Sequence, residues 1–593
     1  MVSALVWVLS GVVLYSLVAM ALSARGMLPD SVRVSGPITT LHTERGKAVL
    51  DRLAAPKRFW RAWANVGVGI TLVVMIGSFL LVILSAVLIF NRPESTSISQ
   101  PRSFLVIPGV NPFLPLSVAP EIVFGLLVGL VIHEGGHGLL CRVEGIDISS
   151  MGLALVTLIP MGAFVEPDEE QQRNAARGAQ TRMFAAGVTN NFAITAIAFA
   201  LLFGPVVGSI AVAPGVPVGG ALPGTPADEA GIGQGDVITA VAGHNVTNES
   251  QLEHALASTD RTAEVTLSDG TTTTVRRSLV VTSATRGGPT GLDINTTITA
   301  VNGTHVRTEH AFSKVLENTT VATLQTADGT ETTAPMGAYA SKIIPDGPLA
   351  NASGQGGKSV IVTRFAGERI TDTSELRNVL SRTQPGDVVQ TEVYSNGERA
   401  TYRVQLGENP RTGSGLLGVG GLQPGTSGLV VDDLGIDTYP AGAFLAILGG
   451  EGGSGGGSML GPLFVSVFSL VTLPFASVAI PGANYNFAGF VGPTLDYYTV
   501  AGGPLSFLGG SVFVLANVLF WTGWVNINLA IFNCIPAFPL DGGHILRTST
   551  EAIVSRLPVG SRGALTGTIT TAVSLTMLAA LVVMLFGPTL LTG

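Results

Sequence analysis

The chain has 593 residues, of which only 12% are charged and 46% hydrophobic, with 75 glycines and a mean hydropathy of +0.48. A soluble protein carries about 25% charged residues, so the composition excludes a soluble cytosolic enzyme and fits lipid-facing helices joined by glycine-rich loops. A net charge of −8 without a long Lys/Arg run excludes nucleic acid as a partner, and two cysteines, Cys141 and Cys534, exclude a disulfide framework or a CxxC zinc site.

About twenty apolar residues cross a hydrocarbon core of ~30 Å. The segments that qualify are Ser3–Leu22, Ala64–Phe90, Glu121–Leu140, Phe184–Ala211, Met459–Ile480, Gly509–Phe532 and Leu565–Phe586. The first ends in Ala21-Leu22-Ser23, which suits a leader cleavage site, but lacks the positively charged start of a leader. Between the first two spans, Arg25, Arg33, Arg45, Lys47, Arg52, Lys57, Arg58 and Arg61 outnumber Asp30, Glu44 and Asp51, which makes that loop cytoplasmic. Counting onward puts residues 92–120 outside, the loop after Leu140 inside and the polar block from Pro214 to Tyr439 outside. One parity conflict remains: a full crossing by Met459–Ile480 would start the next span on the cytoplasmic side. That segment is therefore expected to be re-entrant, unless one of its neighbours also crosses.

Within the third apolar segment stands Val131-Ile-His133-Glu134-Gly-Gly-His137. Histidines at i and i+4 share one helix face, the spacing that a single zinc ion needs, and the intervening glutamate can take a proton from the attacking water. Ionisable groups inside hydrocarbon are costly and mark work to be done, which outweighs a plain packing role. Twelve residues after Glu121, at 1.5 Å each, His133 lies about 18 Å along the helix, nearer the cytoplasmic face. Met151–Val165 is apolar, glycine-interrupted and too short for a helical crossing, so a re-entrant strand or hairpin is expected, able to pair with an unwound substrate. The acidic run Glu166 to Glu170 reads as a solvated turn rather than a second metal site.

From Pro214 the pattern turns to short β-rich runs, with one motif appearing three times around Gly243, Gly303 and Gly367, spaced 60 and 64 residues apart. A helical run follows each, at Ser250–Ala257, Thr308–Leu316 and Ser374–Leu380. Together with Pro223 to Asp236, the first copy resembles a PDZ domain of the type attached to bacterial proteases, and the later copies do so more loosely. Such domains bind extended peptides by strand addition; a spacer role is the alternative for copies two and three. The block is acidic and lysine-poor, as a high-salt setting favours.

Near the C-terminus, Asn533-Cys-Ile-Pro536-Ala-Phe-Pro539-Leu540-Asp541-Gly542-Gly543-His544 closes an apolar span with a carboxylate in a broken backbone. Broken helices at membrane depth occur only where buried in protein or lining a watery cavity, which makes Asp541 a candidate third ligand. Cys141 and Cys534 read as inert packing, and His544 as interfacial or supporting.

HExxH in one span, NxxPxxPLDGG in a later one and a PDZ region between them resemble the site-2 protease family of intramembrane zinc metalloproteases. Gly187-Val-Thr-Asn-Asn191-Phe192 matches the family's Gly-x-x-x-Asn-Phe element, with Val188 where proline is common and Asn190 leaving the register open. The resemblance implies zinc on His133, His137 and Asp541, Glu134 as general base, and Asn191 holding substrate or oxyanion. It further implies membrane-anchored protein substrates, single-span ones first, cut in or beside a transmembrane segment. The expected fold is a polytopic α-helical membrane protein with extracytoplasmic, β-rich PDZ-like domains inserted between the catalytic membrane segments. Its divisions are an N-terminal membrane region (1–120), a first catalytic part (121–213), PDZ-like domains (214–284, a partial 285–338, and 339–407), a Gly-rich linker (408–458) and a second catalytic part (459–593). A non-catalytic peptide receptor does not need ligands at metal spacing, and a metal transporter needs more intramembrane ligands than His133, His137 and His544.

Overall fold

The structure, a computed structural model, describes residues 4–91, 107–111, 114–157, 159–410, 412–451, 460–479, 484–558 and 560–592. It divides into two compact units: Met1–Ala211 with Gly442–Gly492 and Val500–Gly593, and Val212–Ala441 with Pro493–Thr499.

The first unit opens with α1 (Ala4–Ala24), β1 (Val32–Ser35), β2 (Ile38–His42), α2 (Glu44–Leu53) and α3 (Lys57–Asn91). There follow α4 (Ala119–Glu144), β3 (Ile148–Val156), β4 (Ile159–Pro167) and α5 (Arg177–Leu201). The expected hairpin is β3 and β4, antiparallel with Met151 opposite Val165. Unanticipated is its extension by β1 and β2 into a four-stranded sheet of order β1-β2-β3-β4, which leaves β4 as an edge. Gly152, one of the interrupting glycines, permits this: a Cβ there would stand 1.9 Å from the carbonyl oxygen of Leu41 on β2.

In the second unit the three copies become three six-stranded sheets. Each aligned glycine sits with its predecessor at positive φ, in the pairs Ala242-Gly243, Asn302-Gly303 and Ala366-Gly367. Two successive positive φ values define the tight hairpin turn that suits the twist of paired strands. Each turn leads to a capped helix: α6 (Glu249–Ala257), α7 (Glu309–Leu316) and α8 (Thr373–Ser381), with Asn248, Thr308 and Asp372 accepting from the third residue onward. Residues 408–438, expected as linker, instead supply the last strand of every sheet. β5 (Val419–Leu422) pairs with Ala338–Ile343 of the third, β6 (Leu429–Asp432) with Leu279–Ala284 of the second and β7 (Ile436–Thr438) with Val216–Ala221 of the first. The modules are thus nested, closing in reverse order. Leu417, Leu429 and the pair Leu434 and Ile436 complete their three apolar cores.

The chain returns to the first unit for α9 (Ser511–Asn533), α10 (Asp541–Val554) and α11 (Arg562–Thr592). Among the described residues, five helices are long and apolar enough to cross a membrane: Lys57–Ile89, Leu116–Glu144, Arg177–Ser209, Ser511–Asn533 and Arg562–Gly587. The expected span Met459–Ile480 is a helix of 13 residues, Leu460–Thr472, stopped by a short turn holding Pro474 before Ala476–Ala479; its end residues lie outside the described ones. Proline removes a donor and clashes with the preceding turn. Where α4 crosses α9, a Cβ on Gly125 would stand 2.9 Å from the carbonyl oxygen of Trp521. Glycine lets the two backbones approach.

Candidate metal centre

His133 and His137 project from one face of α4, with ring centroids 4.8 Å apart and Nε2 atoms separated by 3.2 Å. Asp541 is the first residue of α10, reached after α9 ends and the Pro/Gly-broken segment doubles back. Gly542 and Gly543 allow that fold: a Cβ on either would come within 2.4–2.8 Å of backbone at Cys534 to Phe538. The reversal puts Oδ2 of Asp541 at 3.1 Å from Nε2 of His133 and 3.3 Å from Nε2 of His137.

Three lone-pair atoms from two distant segments therefore form a nearly equilateral triangle. Tetrahedral bonds of 2.0–2.1 Å to zinc separate ligand atoms by about 3.3 Å. Oδ2 of Asp541 is buried and makes no well-directed hydrogen bond in this triangle, an arrangement that costs free energy unless a cation completes it. The donor set fits zinc.

The far sides of the imidazoles are held as ligands require. Nδ1 of His137 lies 2.8 Å from the carbonyl oxygen of Met183 on α5, so it carries the proton and leaves Nε2 its lone pair. Nδ1 of His133 lies 3.2 Å from Nδ2 of Asn191, whose Oδ1 is buried without a partner among the described residues. A half-turn of the amide exchanges the two atoms. With oxygen toward the ring, Nδ1 of His133 donates, its Nε2 is free for a metal, and the orphaned Oδ1 gains a partner. Asn190 is resolved from Asn191 here: it accepts from Nε1 of Trp63 at 3.0 Å. Gly187 gives the Gly-x-x-x-Asn element its reason, since a Cβ there would stand 2.7 Å from Nε2 of His137.

Glu134, one position from His133, accepts from the backbone N–H of Val165 on β4 at 3.1 Å. Its carboxylate also comes within 4.8 Å of both histidines. Two carboxylates thus approach the imidazole pair, but Asp541 touches both nitrogens while one oxygen of Glu134 is engaged by β4. Of the other residues considered, Cys141 and Cys534 are buried thiols in apolar clusters. His544 stacks on Phe184 at 4.4 Å, which turns it to packing. Sequence reasoning had no access to the Val165 amide or the Met183 carbonyl, because every residue has both groups and only the fold aims them.

The family model described as peptidase family M50 matches residues 121–581, from the start of α4 into α11. Over 147 residues, 24% of this chain and 37% of the relative, the chain is 27% identical to the uncharacterized protein MJ0971 of Methanocaldococcus jannaschii. Over 101 residues, 17% of this chain and 21% of the relative, it is 32% identical to a probable periplasmic serine endoprotease, DegP-like, of Halomonas elongata. It spans less than two fifths of the length of either. Since the matched stretch takes in most of the chain and contains all three motifs, the chain belongs to peptidase family M50, the site-2 protease family of zinc metallopeptidases.

Proposed function

We propose that the protein is an intramembrane zinc endopeptidase that hydrolyses a peptide bond in or beside a transmembrane segment of a membrane-anchored substrate. The observation that carries this reading is the triangle of His133, His137 and Asp541 beside the edge strand β4. Zinc held by those three residues supplies Lewis acidity toward the scissile carbonyl. Glu134, within reach of the same space, takes a proton from water and returns it to the leaving amine. Among the described residues β4 has a strand partner on one side only, so a substrate helix unwound at this depth can add to it as a strand, which presents the peptide bond to Glu134. Asn191 holds His133 in the ligating tautomer; the geometry favours this over direct contact with an oxyanion.

The second unit acts outside the cytoplasm as a set of PDZ-like substrate-binding modules. Its nested sheets and capped helices support this assignment. These modules exclude large ectodomains, so substrates are single-span proteins already trimmed outside. The test is zinc content of purified protein together with cleavage of a reconstituted single-span substrate. One equivalent of zinc, and cleavage removed by a chelator and restored by zinc, are expected. Cleavage that persists in metal-free protein overturns the reading.

A further inference from the structure

Helix α2 has a buried side and an open side. Its buried side is fixed to the helix that carries the histidines: a Cβ on Gly138, next after His137, would stand 2.7 Å from Cδ1 of the buried Leu50, and Asp51 pairs with Arg142 at 3.0 Å. The level of α2 follows from its neighbours. Arg61, one turn into α3, makes a two-pronged pair with Glu144, the last residue of α4, both bonds at 3.1 Å. The start of one apolar helix long enough to cross a membrane thus lies beside the end of another. Joined to the first and packed on the second, α2 lies where the hydrocarbon stops.

The open side is basic and apolar at once. Positions 45, 49, 52 and 53 are three or four residues apart along one face of α2, and they hold Arg45, Val49, Arg52 and Leu53. Lys57 and Arg58 continue the charge into the first turn of α3. These four cations are exposed, and none has an acidic partner among the described residues. The two acids of α2 are engaged, Glu44 with Lys47 and Asp51 with Arg142. Val49, Leu53 and Phe59 are 57%, 50% and 58% exposed. Water leaves that apolar area uncovered, and hydrocarbon strands the charges. The boundary of an anionic bilayer satisfies both, since apolar side chains enter the acyl region while the headgroups pair with the cations.

We propose that the open face of α2, continued by Lys57 and Arg58, is a binding site for the headgroups of anionic phospholipids at the membrane boundary. A zwitterionic headgroup carries its own cation beside the phosphate and gains little from four more, whereas a headgroup of net negative charge is attracted by all of them. Through Leu50 and Asp51 the bound lipid surface anchors the end of α4 that follows the two histidines. The site goes beyond the endopeptidase reading and needs only that α3 and α4 cross the membrane.

The experiment reconstitutes the full chain in phosphatidylcholine vesicles with a trace of spin-labelled lipid, and electron spin resonance reads the fraction of label held at the protein surface. Spin-labelled phosphatidylglycerol is expected to associate about threefold more strongly than spin-labelled phosphatidylcholine at low salt. Sodium chloride at about 0.5 M is expected to bring that ratio toward one, because salt screens exposed charges. The fourfold variant Arg45→Gln, Arg52→Gln, Lys57→Gln, Arg58→Gln, its fold checked by circular dichroism, is expected to lose the preference at low salt. Arg173→Gln with Arg547→Gln removes two exposed arginines that are paired with Glu169 and Glu551, and is expected to leave it intact. A ratio near one for the unsubstituted chain at low salt overturns the proposal. So does a preference that survives salt, or one undiminished in the folded fourfold variant. A fluorescent deca-glutamate peptide is the rival probe. Its binding to the protein in phosphatidylcholine nanodiscs, lost in the fourfold variant, gives the face to an acidic soluble protein and likewise overturns the proposal. Lipid association is read without turnover, so the endopeptidase reading stands or falls separately on zinc-dependent cleavage.

Discussion

The backbone N–H of Val165 donates to Oε2 of Glu134 at 3.1 Å, tying the outermost strand of a four-stranded sheet to the carboxylate between the two histidines. On the function proposed above, substrate pairing and proton transfer share one contact. Glu134→Gln keeps an acceptor for Val165 and leaves both imidazoles untouched while removing the base. Zinc content is expected to stay at wild-type level while cleavage falls by about 10²–10⁴, the usual worth of a general base. Activity within about tenfold of wild type would remove Glu134 from that role.

Asp541→Ala opens the ligand triangle, whereas Cys141→Ala and Cys534→Ala alter packing only. Zinc occupancy, measured on the three purified variants by elemental analysis, is expected to drop for the first and hold for the other two. Zinc loss in Cys141→Ala with none in Asp541→Ala reverses the ligand choice.

The two glycines inside the histidine motif have different surroundings. A Cβ on Gly135 meets nothing within 4 Å, while one on Gly136 would stand 2.8 Å from Nδ2 of Asn190 and 2.9 Å from the carbonyl oxygen of Ala186. Gly135→Ala is expected to leave zinc binding and melting temperature unchanged or slightly raised. Gly136→Ala forces α4 away from α5, at a cost of about 1–3 kcal/mol, and lowers zinc affinity. Thermal unfolding and zinc titration of the pair check this, and equal behaviour contradicts the helix contact described.

Nesting dictates how the second unit can be removed. Deleting 215–407 leaves β5, β6 and β7 without their sheets, exposing unpaired edges that promote aggregation. Deletion of 212–441 removes every partner together. Size-exclusion profiles are expected to show aggregates for the first deletion and a single peak for the second. Only the second then tests whether untrimmed substrates are admitted. A single peak for the shorter deletion shows that the closing strands are dispensable. For sidedness, a cysteine at Asp496 in a chain without native thiols is expected to react from outside; Ser454, the other position suited to such a probe, lies outside the described residues.

Glu309 makes stability depend on pH. Its folded value, about 7, lies above the ordinary 4.5, so the folded state holds the proton more tightly than the unfolded state. The stability this contributes is fully present below about 4.5 and is lost as pH rises through about 7. Glu309→Gln keeps the side chain neutral throughout. The variant is expected to melt at the wild-type temperature at pH 4 and above it at pH 8. The groups that repel Glu309 are Asp432, Asp433, Glu253 and Asp372. An unchanged melting difference across that range shows that the carboxyl titrates as a solvated one.

His133 and His137 were legible as a pair because a helix has a fixed period, and four residues return a side chain to the same face. Five of the seven expected spans followed from composition among the described residues, the threefold repeat from aligned glycines, and the strand beside the site from a stretch too short to cross as a helix. These are local properties, decided by backbone geometry within a few residues. Long-range closure was not legible. That residues 408–438 complete all three sheets depends on pairing with strands up to about two hundred residues earlier, and three short, glycine-rich segments carry no local sign of their partners. Likewise, Asp541 was singled out by its broken backbone, but its approach to both imidazoles depends on two helices crossing at Gly125 and on a reversal permitted by Gly542 and Gly543. Tertiary packing alone turned the Met183 carbonyl, the Val165 amide and the Asn191 amide toward the motif, because hydrogen-bonding groups common to many residues acquire a role only from what the fold sets opposite them.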